Sequence, residues 1–266
     1  MKPMKRSSLR IFIGKSYYTF KRYLWWKFSN TKFAIKYTEN SLPYLYFSYK
    51  TPLLRQLKNI DMHLQYNKIN NLKIAISQLN KISINPNETF SYWSLIGKPT
   101  YKKGYKDGMI LFCGRVGTGV GGGLCQLSNL IYWMTIHTPL TIVERYRHSY
   151  DVFPDSNRTQ PFGSGATCVY NYRDLMIRND TNDTYELVLK ITDEDLIGEW
   201  RVNNIPTFSY KVFEKNHSIT HEFWGGYVRH NTLYRERYDK NNIVTEEFIT
   251  ENHAIMMYQP FLGTSF

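Results

Sequence analysis

Between Gly117 and Met134 the chain reads GTGVGGGLCQLSNLIYWM, and five of the first seven residues are glycine. Glycine loses more backbone entropy on ordering than any other residue and visits left-handed geometry freely. The run therefore breaks regular structure and forces a turn. Beyond it, Leu124, Leu127, Ile131 and Met134 recur in steps of three and four, and Pro139 follows. That pattern predicts a helix over 124–137. Cys125 then falls in the first helical turn, where the dipole and unpaired N–H groups favour an anion.

Two chemistries use a glycine turn ahead of a helix. Gly117, Gly119 and Gly122 fit G-x-G-x-x-G, a phosphate cradle, but no Lys-Ser/Thr and no parallel βαβ pattern accompanies them. A cysteine nucleophile accounts for more of the residues. Glycines 121–123 permit close approach of a substrate, and Gly122 and Gly123 are expected to offer oxyanion donors. On the helical wheel Cys125 sits with Ser128, Asn129 and Tyr132, a polar setting for a reactive thiol. Gln126, Ser128 and Thr167 are the expected substrate contacts. The competing reading is a small buried hydrophobe, and it is the expectation for Cys113, in an apolar run, and for Cys168, in a strand pattern.

A thiol nucleophile needs a base. His137 stands about 18 Å along the helix axis from Cys125. His148 lies at the end of LTIVERYRH, a segment long enough to return the length of the helix, and is the expected base; a surface histidine is the alternative. Thr167, Asn171, Asp174 and Asn179 are candidates for a third, orienting group. The three cysteines form no C-x-x-C, and no H-E-x-x-H occurs. Neither a disulfide framework, a metal nor a cofactor is expected.

The remaining pattern implies an α+β fold: a buried helix carrying Cys125 packed on an antiparallel sheet, with a strand-rich C-terminal region. Residues 67–83 read as an amphipathic helix through Ile69, Leu72, Ile76 and Leu79. Residues 108–116 read as a buried strand, 140–146 and 185–193 as strands, and 166–181 as a hairpin. The expected divisions are a basic aromatic leader over 1–40, a central domain over 41–200 and a strand-rich extension over 201–266.

Net charge is +12, and the first 36 residues carry ten Lys or Arg with no acid before Glu39. Such a segment suits an anionic membrane surface, helped by Tyr17, Tyr18, Phe20, Tyr23, Trp25 and Trp26; a solvated, partly disordered leader is the alternative. No nucleic-acid motif appears. Nothing approaches the ~20 apolar residues of a membrane span, and no signal peptide is evident. The sequence points to the cytoplasm or an inner membrane face.

The motifs YKDG (105–108), GGGLCQLSNLIYWM (121–134), HTPLTIVERYRH (137–148), GATC (165–168) and DLMIRNDT (174–181) resemble the VanW family in content and order, as does NETFSYW (87–93). The match covers roughly residues 40–200. The resemblance implies a link to peptidoglycan and to glycopeptide resistance, a place in the cell envelope, and, as in some members, L,D-transpeptidase activity with Cys125 as nucleophile. The implied function is cysteine-dependent acyl transfer on peptidoglycan stem peptides or their precursors. A non-catalytic module for D-amino-acid termini or a resistance partner is the alternative. Two departures stand out. Gly165 replaces an Asp common in the family, and Pro-Gly-Glu becomes Pro-Asn-Glu at 86–88.

Overall fold

A computed structural model describes residues 7–54, 61–112, 114–152, 160–239 and 242–260. In chain order the elements are α1 (Ser8–Phe28), β1 (Lys36–Tyr37), β2 (Tyr44–Pro52), α2 (Met62–Leu79), β3 (Ile82–Ile84), β4 (Thr89–Ser91) and α3 (Tyr92–Ile96). Next come β5 (Asp107–Phe112), β6 (Arg115–Val120), α4 (Cys125–Thr135), β7 (Thr141–Glu144), β8 (Tyr150–Asp151) and β9 (Met176–Arg178). The chain closes with β10 (Tyr185–Ile191), β11 (Asp195–Val202), β12 (Ser209–His221), β13 (Tyr227–Asp239) and β14 (Asn242–Met256).

The fold is α+β, with strands paired almost throughout in antiparallel fashion. A five-stranded sheet in the order β1-β3-β10-β11-β2 forms the platform. On it lies α4, eight of whose eleven residues are buried. The approach is close. A Cβ added to Gly198 of β11 would stand 2.5 Å from the Met134 side chain and 3.2 Å from that of Leu130. The Trp200 indole donates to Thr135 Oγ1 at 3.1 Å. Leu72, Ala75 and Leu79 of α2 join the same core, which is fully closed to solvent at Leu127, Leu130, Ile131 and Trp200.

Several elements depart from the sequence expectations. α2 begins at Met62, capped by Asp61, whose side chain accepts from the His63 N–H at 2.8 Å. It ends at Leu79 because Asn80 is extended and Lys81 adopts φ +67°. The expected buried strand over 108–116 is instead an exposed β5–β6 hairpin, with Ile110, Leu111, Phe112 and Val116 all facing solvent. Among the described residues no second layer covers these four side chains. The expected hairpin over 166–181 reduces to one bridge, Val169 with Arg173, ahead of the short β9. Among the described residues of the leader, Ser8–Phe28 form α1, with Ser7 as its N-cap. Cys113 lies outside the described residues. β12, β13 and β14 build a long sheet that β8 joins at one edge in parallel.

Candidate active site

The turn ahead of α4 is fixed by contacts that tolerate only glycine. Gly121 and Gly123 have φ of +76° and +90°, the left-handed region that side chains resist. Gly122 crosses Gly108 of β5 so closely that a Cβ on it would lie 2.2 Å from the Gly108 carbonyl. Asn71, fully buried on α2, clamps the crossing. Its Nδ2 donates to Gly122 O (3.0 Å) and Lys106 O (2.9 Å), and its Oδ1 accepts from the Lys106 N–H (2.8 Å). The Tyr92 hydroxyl donates to Leu124 O at 3.0 Å. The start of α4 is thus held from three sides.

Cys125 is the first residue of the helix and is exposed. The backbone N–H groups of Cys168 and of Cys125 itself favour the thiolate. The crowd of surrounding protein atoms acts the other way and is the larger effect, so the thiol sits above its ordinary pKa. Exposure and desolvation point in different directions here. Exposure governs access, since a reagent must reach the sulfur, and the raised pKa governs charge, so a resting neutral thiol needs a base. Neighbouring Cys168 is half-buried, and burial pushes its thiol well up.

His148 arrives from the segment after β7. Its Nε2 lies 3.3 Å from Asn129 Oδ1 and its Nδ1 lies 2.8 Å from Thr167 Oγ1. Asn129 is one helical turn beyond Cys125 on the same face, a spacing of about 6 Å between Cβ atoms. The Ala166 N–H donates to Asn129 Oδ1 at 2.8 Å, which fixes that atom as an acceptor. The network therefore assigns the resting proton to Nε2 and leaves Nδ1 as the basic nitrogen, with the Thr167 hydroxyl donating to it. Once protonated, both ring nitrogens still have acceptors, Asn129 Oδ1 and Thr167 Oγ1.

Arg145 holds the far wall. It donates to Gly163 O (2.6 Å) and to Gly165 O (2.7 and 2.9 Å), and its guanidinium lies 4.8 Å over the Tyr132 ring. Gly165 is packed against the histidine. A Cβ there would stand 2.7 Å from Asn129 Oδ1 and 2.9 Å from His148 Nε2. The absence of a side chain at 165 is what lets Asn129 and His148 meet.

The other predicted residues fall as follows. Gly122 N–H donates to Gly119 O at 3.0 Å, so that expected oxyanion donor is already bonded. Gly123 packs against the Lys68 side chain. Gln126 donates to Thr51 Oγ1 and Pro52 O, tying α4 to β2. Ser128 is fully buried and donates to Cys125 O and Ala166 O, so it braces the site from behind. Thr167 serves the histidine. Asn171, Asp174 and Asn179 are buried and bonded elsewhere: Asn171 to Thr19 O, Asp174 to Ser91 and Trp93, and Asn179 to Ile84 O and Asp183 O. His137 is buried against Phe47 and bonds Trp133 O. Asn129, which the helical wheel places beside Cys125 only as a polar neighbour, joins the site as the partner of His148. Among the described residues no three His, Cys, Asp or Glu side chains converge as metal ligands. A groove of about 760 Å³ beside Trp25, Lys32 and Glu144 and another of about 420 Å³ beside Arg145 and Tyr146 do not include Cys125.

The family model described as VanW like protein matches residues 67–201, the span that contains Asn71, Cys125, Asn129, Arg145, His148 and Thr167. The vancomycin B-type resistance protein VanW of Enterococcus faecalis is 37% identical over 201 residues, which cover 76% of this chain and 73% of that one. The chain belongs to the VanW family. Another relative of this VanW-family chain is the uncharacterized protein YoaR of Bacillus subtilis, 33% identical over 112 residues, or 42% of the chain but only 35% of the relative. No solved structure matches.

Proposed function

We propose that this VanW-family protein transfers acyl groups on peptidoglycan stem peptides, with Cys125 as nucleophile, as an accessory to wall remodelling or glycopeptide resistance. One observation carries the reading. An accessible cysteine at the first turn of α4 stands one helical turn from Asn129, which together with Thr167 holds the His148 ring at both nitrogens. In the step envisaged, the Thr167 hydroxyl turns from donor to acceptor and His148 Nδ1 takes the thiol proton as the sulfur attacks a peptide carbonyl. The oxyanion falls to the N–H group of Gly123. Collapse breaks the C–N bond, and the departing amine leaves with the proton from His148. The thioester then passes to an incoming amine, or to water in hydrolysis. The name of the Enterococcus faecalis relative is consistent with a resistance setting.

The raised Cys125 thiol favours a second reading, a non-catalytic module that binds wall-peptide termini. Intact-mass spectrometry separates the two. Incubation with a stem-peptide mimic or a carbapenem should add one acyl group to the wild-type protein and none to Cys125→Ser, whose thermal midpoint stays near wild type. Retained binding without an adduct under reducing conditions selects the module.

A further inference from the structure

We propose that the outer face of α1 docks this protein on an anionic lipid bilayer. The helix is fastened to the body along one side only. Arg22 pairs with Glu144 at 2.6 Å, Tyr23 meets the Tyr170 hydroxyl at 2.6 Å, and Trp25 packs edge-on against Phe33 with centroids 5.5 Å apart. Ile11, Thr19, Arg22 and Trp26 are half-buried on that side, and no residue of the helix is fully buried.

The opposite side carries Leu9, Ile13, Tyr17, Phe20, Leu24 and Phe28, spaced by four, four, three, four and four residues. Helical geometry aligns them as one stripe about 28 Å long. Each is between 42% and 71% exposed. Singly exposed apolar residues are ordinary, but a continuous stripe marks an interaction surface. Arg10, Lys21 and Lys27 border it, and no acid precedes Glu39. The β5–β6 hairpin adjoins the helix, with Lys15 Nζ lying 5.2 Å over the exposed Phe112 ring and Leu111 and Val116 beside it.

Charge decides the occupant. A second copy laid on the stripe would bring Arg10, Lys21 and Lys27 of both copies together, at the cost of like-charge repulsion. An anionic bilayer offers acyl chains to the stripe and headgroups to its cationic borders. No described helix is long and apolar enough to cross a membrane, and the charges spaced along α1 fit a helix lying in the plane of the interface.

The test is co-sedimentation of the full chain with vesicles of phosphatidylglycerol mixed into phosphatidylcholine, and of phosphatidylcholine alone, at low and high salt. The expected result is binding to the anionic vesicles, weakened by salt. It should fall at least ~10-fold in Phe20→Asp/Leu24→Asp and in Lys21→Glu/Lys27→Glu. Those side chains face outward, so circular dichroism should match wild type. Equal binding to neutral vesicles, or no binding, overturns the proposal. So does a dimer in sedimentation equilibrium that the same variants abolish. None of these readouts depends on turnover at Cys125.

Discussion

Replacing Asp174 with asparagine should change how stability depends on pH more than it changes the fold. Asp174, two residues before β9, is fully buried against the N-terminus of α3. Its Oδ1 accepts from the N–H groups of Trp93 (3.0 Å) and Leu175 (2.9 Å), and its Oδ2 from the Ser91 hydroxyl (2.6 Å). Burial lifts its pKa from 3.8 to about 7, and the Glu144 charge adds to the rise. The Ser91 and Trp93 bonds and Arg22 oppose it. Between those two values the folded protein holds a proton that the unfolded chain has released. The group's contribution is therefore complete below pH 3.8 and is lost as pH rises through about 7. The full shift corresponds to ~4 kcal/mol as an upper bound. Three donors aimed at the carboxyl favour its charged form, so at least ~2 kcal/mol is the expected span. An asparagine side chain in the same place can keep both Oδ1 bonds and turn its amide toward Ser91, but it never ionises. His137 complicates any single curve. Burial lowers its pKa to about 4, so its contribution is present above pH 6.5 and is lost as pH falls through 4, the opposite sense. The difference between the two proteins cancels that effect. Urea unfolding of wild type and Asp174→Asn from about pH 4 to 8 should show the variant gaining ~2–4 kcal/mol on wild type as pH rises. A constant difference, or a wild type that gains instead, would refute the argument.

Two substitutions test the site itself. Gly122→Ala drives a methyl group into the Gly108 backbone, so we expect a loss on the order of 3 kcal/mol or more, read from the thermal midpoint. An unchanged midpoint would mean the crossing is looser than described. Asn129→Ala removes the acceptor shared by His148 Nε2 and the Ala166 N–H. It should cost ~1–3 kcal/mol of stability and raise the pH midpoint of Cys125 alkylation. A stability loss with an unmoved alkylation profile would leave Asn129 a bracing residue only.

What the sequence determined by itself was local. The glycine run required a turn, the three-four spacing after Leu124 required a helix, and together they put Cys125 at its first turn. Those outcomes depend on backbone freedom and side-chain period, which act between near neighbours. The long-range outcomes needed the packed chain. His148 meets Asn129 because Arg145 anchors the Gly163 and Gly165 carbonyls and Gly165 carries no side chain to keep the two apart. Gln126 and Ser128 look like substrate contacts in the sequence, yet their hydrogen bonds go to β2 and to Ala166. Ile110, Leu111, Phe112 and Val116 look like part of a core strand, yet they face solvent. Polar and apolar side chains report what they prefer to contact, whereas their actual partners depend on which distant segments the β2–β11 platform brings alongside α4.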